Sequence, residues 1–156
     1  MRSVRITALI LSAAAVLFAA RTESAAAAVA ESVLRLHVVG ASDSQEDQAL
    51  KLRARDAVLE YLAPLLESCK SREEAEQKIL PLLRDIAEVA ARASGQAAEA
   101  GLAGEEFPEH EYDGFALPAG DYRALRIRLG EAQGKNWWCV VFPPLCAALA
   151  SDEPDA

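Results

Sequence analysis

The first folded part of the sequence has a strand pattern, residues 33–39, followed closely by a helical pattern. In VLRLHVV, residues 33–39, the side chains of Leu34, Leu36 and Val38 fall on one side of an extended chain and form a fully apolar face. After GASDS, residues 40–44, the apolar positions repeat every three or four residues, which is typical of an amphipathic helix. The order therefore predicts a strand followed by a helix.

Residues that cap helices mark the starts of further elements. Asp43 is predicted to be the N-cap of the first helix, with Glu46 at its third position. Ser71 and Glu74 form the same kind of capping box before a second helix. Pro81 is well placed in the first turn of a third helix, because proline has no N–H to lose there.

The last third of the chain returns to strand patterns. Residues 122–129 alternate apolar and polar side chains, and residues 137–142 are aromatic and β-branched. The polar connection 130–136 contains two glycines, so an antiparallel hairpin is the simplest arrangement. Residues 95–111 are rich in alanine and glycine and are expected to be a loop with at most one poor strand. The order predicts an α+β fold, a single domain with a small antiparallel or mixed sheet packed on two to three helices.

Residues 1–30 are predicted to be a signal peptide or membrane anchor in front of this domain. Arg2 and Arg5 precede fifteen uncharged and mostly apolar residues, 6–20, and alanine-rich cleavage sites follow at residues 25–30. The apolar run is shorter than the roughly 20 residues that a spanning helix needs. Export would place the remainder in a compartment where disulfides form.

An excess of acidic residues argues against nucleic acid and anionic lipid as partners. The 156 residues carry a formal net charge of −8. Residues 1–30 contain three basic residues and one acidic residue, so the remainder carries −10. Phosphate groups need Lys and Arg for neutralisation, so no nucleic acid is expected, and the membrane is contacted through the N-terminal segment alone. Residues 31–150 are predicted to be one domain, and residues 151–156 an acidic tail.

Residues 135–146, KNWWCVVFPPLC, combine both tryptophans with two of the three cysteines and a proline pair. Cys139 and Cys146 either form a disulfide or remain buried thiols, since spacing alone does not bring their Cα atoms within the roughly 7 Å that a bridge tolerates. Trp137 and Trp138 face opposite sides of a strand. One is expected in the core, and the other is either covered or an exposed binding anchor.

Catalytic and metal chemistry find little support in the residue types. A pair formed by Cys139 and His37 is conceivable, but the apolar sequence around Cys139 raises the pKa of a thiol rather than lowering it. Cys139 and Cys146 are seven positions apart, and His37 lies far from His110, so zinc-site spacing is absent. The sequence predicts no metal and no cofactor.

Two long blocks carry a pattern beyond their secondary structure. They are LHVVGASDSQEDQALKLRARDAVLEYLAPLL, residues 36–66, and FPEHEYDGFALPAGDYRALRIRLGEAQGKNWWCVVFPPLC, residues 107–146. Within the second block, LPAGDYRALRI followed by GKNWWCVVFPPLC is highly specific. With a signal segment in front, the chain resembles the stage II sporulation protein R family of endospore-forming bacteria.

The resemblance implies an exported signalling protein and not an enzyme. Members of the family are made in the forespore and exported into the space between forespore and mother cell. There they trigger a membrane-embedded aspartic protease of the stage II sporulation protein GA type. The protease then removes the pro-sequence of the mother-cell sigma factor, sigma-E.

A surface that binds this receptor is predicted on the first loop, the first helix and the tryptophan–proline segment. The candidate residues are Ser42, Asp43, Ser44, Asp47, Arg55, Asp56, Trp137, Trp138, Pro143 and Pro144. Arg55 and Asp56 are adjacent and are not expected to pair with each other. Two other classes of function stay open: an exported cysteine hydrolase that uses Cys139 and His37, and an envelope structural protein that assembles through Cys69.

Overall fold

The computed structural model of the chain describes residues 24–112 and 115–145. The helices are α1 (described over residues 24–32), α2 (Gln45–Leu66), α3 (Arg72–Ile79) and α4 (Leu83–Ser94), with a 3₁₀ turn at Leu80–Leu82. The strands are β1 (Leu34–Val39), β2 (Ala98–Phe107), β3 (His110–Tyr112), β4 (Phe115–Leu117), β5 (Gly120–Leu129) and β6 (Asn136–Phe142). The predicted α+β class is confirmed.

The main sheet has the strand order β2–β5–β1–β6, so the first strand of the chain lies inside it. β1 runs parallel to β5 and antiparallel to β6, and β2 is antiparallel to β5. β3 and β4 form a separate two-stranded sheet. The predicted hairpin between β5 and β6 is therefore wrong. β1 separates them because all six of its residues are buried, and a strand buried on both faces fits the interior of a sheet better than its edge.

The alanine-rich segment expected to be mainly loop forms a regular ten-residue strand, β2. It pairs with β5 at every position, from Ala98 opposite Leu129 to Phe107 opposite Gly120. Strand propensity reflects how well side chains fit a pleated surface more than any backbone preference. Here β5 supplies an unbroken row of backbone partners, which overrides the weak local signal.

Helices α2, α3 and α4 cover one face of the main sheet. Their apolar side chains meet those of β1, β5 and β6 in one buried core. The core includes Leu34, Leu36, Val38, Ala54, Val58, Leu62, Ile79, Ile86, Leu125, Ile127, Trp137 and Cys139. The apolar face predicted for the first strand is thus confirmed.

Serine side chains cap both α2 and α3. Ser44 Oγ accepts a hydrogen bond from Asp47 N at 3.1 Å, and Ser71 Oγ accepts one from Glu74 N at 3.2 Å. The prediction for Ser71 is confirmed, whereas the choice of Asp43 as N-cap is wrong by one residue. Asp43 is drawn away from the helix end because its carboxylate accepts a hydrogen bond from the distant β5–β6 connection.

The opposite face of the sheet is covered at one end by α1 and the β3–β4 hairpin. Arg35 is 0% exposed within this second cluster. Its Cζ atom lies 3.9 Å from the centre of the Phe107 ring, and its Nη2 donates to Tyr112 Oη at 2.9 Å. Aromatic faces and a hydroxyl thus replace part of the water that a guanidinium loses on burial.

The residues around the predicted cleavage sites belong partly to this second cluster. Val29 packs against it, and Ala30 is 9% exposed. Cleavage after Ala27 would keep both residues, and cleavage after Ala30 would remove them. The predicted apolar signal, residues 6–20, lies outside the described residues; of the helices that are described, none has the length and apolar character needed to cross a membrane.

A chain that begins at Glu31 should be less stable than one that begins at Ser24. The loss of Val29 and Ala30 should lower the free energy of unfolding by about 1–2 kcal/mol, because a half-buried valine contributes part of its transfer free energy. Urea unfolding of the two chains measures the difference. In the longer chain, Val29→Ala should reproduce part of the loss, and Ala27→Ser, at an exposed position, should not. Equal stability of the two chains would contradict the packing of α1.

Candidate functional site

The chain connections at one end of the main sheet form a polar surface, the loop cluster. It consists of residues 40–44, residues 130–135, Gln96, and the α2 residues Asp47, Gln48 and Lys51. Backbone hydrogen bonds join its two connections: Gly134 N donates to Gly40 O at 2.9 Å, and Gln133 N donates to Ala41 O at 3.2 Å. A Cβ atom at position 134 would clash with the Ser42 carbonyl oxygen, so this close approach requires glycine.

Polar side chains of the predicted patch hold the loop cluster together. Asp43 Oδ1 accepts a hydrogen bond from Lys135 N at 2.7 Å. Asp47 accepts two more, from Ser42 Oγ and from Gln96 Nε2, each at 2.5 Å. The hydrogen bonds from Ser42 and Gln96 lower the pKa of Asp47, because they favour its charged form. The loop thus has a fixed shape before any partner binds.

A buried lysine lies beneath the loop cluster. Lys51 Nζ donates to Gln48 Oε1 at 2.6 Å and to the carbonyl oxygens of Lys135 and Asn136 at 3.1 and 3.3 Å. Burial lowers the pKa of Lys51 to about 8; the Asp43 carboxylate opposes this shift, and nearby cationic side chains add to it. The lysine therefore ties α2 to the start of β6 through backbone acceptors.

Arg55, one turn further along α2, is buried against the first tryptophan. Its Cζ atom lies 4.8 Å from the centre of the Trp137 ring, and its Nε donates to Asp56 Oδ1 at 2.7 Å. The expectation that Arg55 and Asp56 do not pair is wrong, because a long arginine side chain can bend back to a carboxylate whose Cβ points elsewhere. Trp137 is 5% exposed, which corrects its assignment from partner contact to core residue.

Trp138 lies on the other face of the sheet and is half-buried. Its ring makes edge contacts with His37, Phe107 and His110, with ring centroids 5.8–6.5 Å apart. Its Nε1 is buried without a hydrogen-bond partner among the described residues. One tryptophan was expected to be either covered or an exposed binding anchor. The structure shows that both are at least partly covered.

His37 is fixed in a polar network beside Trp138. Its Nδ1 lies 2.6 Å from Glu105 Oε2, and its Nε2 lies 2.8 Å from Asn136 Oδ1. Burial alone would raise the pKa of Glu105, but the hydrogen bond and charge of His37 together with the charge of Arg126 lower it. The network links β1, β2 and β6 on the face of the sheet opposite α2, α3 and α4.

The β1–β6 register separates the two residues of the predicted catalytic pair. His37 is opposite Trp138, while Cys139, the next residue, belongs to the core on the helix face. A Cys139–His37 pair is therefore excluded by geometry. Cys139 is fully buried and disulfide-bonded. Its predicted partner, Cys146, lies outside the described residues.

Pro143 and Pro144 are exposed at the opposite end of β6 from the loop cluster. The strand between them, Asn136–Phe142, is roughly 20 Å long. The four loop residues of the predicted patch thus come together, and the two prolines do not join them. Asp43 and Ser44 are exposed there, and Ser42 and Asp47 are half-buried.

Several residues of the loop cluster were not singled out by the sequence pattern. Lys51 follows Asp47 and precedes Arg55 by one helical turn each, and this spacing places all three on the same side of α2. This spacing could have identified Lys51 from the sequence. Gln96 and Lys135 carry no comparable signal, since their roles depend on contacts across 49 and 92 positions of the chain.

Comparisons with known proteins cover most of the chain. Residues 30–152 match the family model described as stage II sporulation protein R. The chain is 36% identical over 133 residues to the stage II sporulation protein R of Bacillus subtilis (strain 168), an alignment that covers 82% of this chain and 59% of that relative. The chain thus spans about 59% of the length of this curated relative. No solved structure matches.

Lys51→Met should remove a pH dependence of stability. The folded state has a pKa of about 8 at Lys51 against an ordinary value of 10.5, so the unfolded state binds more protons between these pH values. The free energy of unfolding of the unmodified chain should therefore rise by on the order of 1–2 kcal/mol from pH 8 upward, and that of Lys51→Met should not show this rise. Urea unfolding between pH 7.5 and 10.5 measures the free energy of unfolding of both proteins. If the two curves run parallel, the lowered pKa of Lys51 is contradicted.

Replacement of Asp43 should separate its role as acceptor from its charge. Asp43→Ala leaves Lys135 N without its partner and should lower the free energy of unfolding by about 1 kcal/mol. Asp43→Asn keeps an acceptor oxygen and should stay within about 0.5 kcal/mol of the unmodified chain. Urea unfolding at neutral pH measures both variants. An equal loss in the two would show that charge, and not the hydrogen bond to the β5–β6 connection, determines the effect.

Proposed function

Because the chain belongs to the stage II sporulation protein R family, we propose that it is an exported signal that activates a membrane-embedded aspartic protease of the stage II sporulation protein GA type. Activation leads to removal of the pro-sequence of sigma-E during endospore formation. The chain would reach the space between forespore and mother cell through residues 1–30 and act there. The family match over residues 30–152 carries this proposal.

The loop cluster suits recognition of a receptor. Asp43, Ser44 and Lys135 are exposed on a surface whose backbone is already held by hydrogen bonds between its two connections. Such preorganisation lowers the entropy that a partner would have to remove on binding. Asp56 lies further along α2, with its side chain 64% exposed, and is paired with Arg55.

Activation by binding requires the signal to prefer the active state of the protease. A shift from about 1% to about 99% active protease needs a difference in binding free energy of roughly 5.5 kcal/mol between the two states. A rigid surface supplies such a difference more readily than a flexible one, because small changes in the receptor then alter the fit.

The two other classes of function receive no support from specific contacts. The cysteine hydrolase would need Cys139 and His37 on one face of the sheet, and they lie on opposite faces. The envelope structural protein would assemble through Cys69. That thiol is free but half-buried, and its Sγ lies 3.4 Å from Leu65 O.

Coexpression in a non-sporulating host tests the proposed function. The full chain, the protease and the sigma-E precursor should together yield processed sigma-E, and omission of the chain or of its residues 1–30 should abolish processing. At limiting expression, Asp43→Asn should lower the processed fraction several-fold, because it removes an exposed charge while keeping the loop closed. Asp85→Asn, an exposed change on α4, is the matched control and should leave processing unchanged. Failure of the full chain to trigger processing would overturn the proposal.

A further inference from the structure

The outer edge of strand β2 is open to pairing with another chain. Its ten residues, AEAGLAGEEF, contain no proline and no lysine, and its register with β5 is unbroken. No strand among the described residues pairs with its outer side. Natural edge strands are commonly interrupted by bulges, proline or lysine, or are covered. The other edge, β6, differs, because its register with β1 shifts between Leu34 and Arg35.

Clefts flank the middle of β2 on both faces of the sheet. On the helix face, a cleft of about 320 Å³ is lined by Leu102, Arg123 and Leu80, and Leu80 is 60% exposed. On the opposite face, a cleft of about 230 Å³ is lined by Gly101, Ala103 and two arginines of β5. Successive residues of an added strand point to opposite faces, so two neighbouring side chains would enter the two clefts.

An uncompensated acidic pair lies at the carboxyl end of β2. Glu106 is directly opposite Asp121, both side chains are exposed, and like charges in this position repel each other. No ion pair joins either one to a basic side chain of the described residues. Glu105, by contrast, contacts both His37 and Arg126. A cation placed beside Glu106 would relieve the repulsion.

A second copy of the chain is a poor occupant of this edge. Antiparallel pairing of two β2 strands about Leu102 would put Glu99 of each copy opposite Glu105 of the other. Like charges directly opposite destabilise a strand pair. Each copy also carries a net charge of −8.

We propose that β2 receives an extended segment of a partner protein by β-strand addition. The segment carries bulky apolar side chains that fill the two clefts and a basic residue that lies beside Glu106 and Asp121. Main-chain hydrogen bonds along β2 supply affinity, and the clefts and the acidic pair supply selectivity. Resting on the function proposed above, we assign this segment to the receptor protease.

Substitution at the edge tests the inference in the coexpression assay. Ala103→Lys places a lysine on the exposed edge strand and a positive charge in the cleft that Ala103 lines, where it opposes both the added strand and the apolar side chain that would enter this cleft. It should lower processing at least about tenfold at limiting expression. Ala116→Lys, an exposed strand position on β4, is the matched control and should process normally. Amide hydrogen exchange of both purified variants checks that they are folded.

The outcomes separate the two proposals. Normal processing by a folded Ala103→Lys variant would overturn strand addition and leave the proposed function standing. Absence of processing with the unmodified chain would instead overturn the proposed function, and strand addition would then be decided by a peptide probe.

The probe is a decapeptide of alternating valine and threonine with arginine at both ends, and its control has glutamate at both ends. At millimolar concentration the arginine peptide should slow amide exchange within residues 98–107 at least about threefold, since added hydrogen bonds protect amides. The glutamate peptide should not, and Glu106→Lys should weaken the effect of the arginine peptide. No protection, equal protection by both peptides, or protection that grows with protein concentration alone would each overturn the proposal.

Discussion

Burial of β1 on both faces is the constraint on which the rest of the structure depends. On one face its leucines and valine need only apolar cover, and α2, α3 and α4 provide it. On the other face the same strand carries Arg35 and His37, so the cover must be aromatic and polar. This explains why Phe107, Tyr112 and Glu105 gather there from segments far away in the chain. Since β1 leads directly into residues 40–44, its fixed position also fixes the loop cluster.

Local patterns predicted most of the elements, because alternation and helical spacing are decided within a few residues. They predicted β1, α2, α3, β5 and β6 in the right places. They failed where partners are distant. The hairpin expected between β5 and β6 is replaced by pairing of each with β1, and β2 owes its regularity to β5 and not to its own alanines and glycines.

In the candidate site, too, the local sequence predicted which residues are polar and exposed in type, but not their distant contacts. The loop from Ser42 to Asp47 could be found from its polar residue types, but what those side chains do could not. Asp43 bonds to Lys135, and Asp47 bonds to Gln96, so residues that resemble free ligands for a receptor are partly occupied in closing loops. The tryptophans were correctly assigned to opposite faces by the period of a strand. Their burial depended on Arg55 on one side and on the aromatic cluster on the other.

The position of β1 in the sheet has a consequence for the order in which the fold can be completed. β1 is the first strand of the main sheet to be synthesised, and its two neighbours in the sheet, β5 and β6, are the last two. The paired residues closest in sequence are 89 positions apart. Until residues 120–129 have emerged from the ribosome, β1 has neither of its sheet partners, and contacts of such long range form late in folding. The main sheet therefore cannot be completed until most of the described chain has been made.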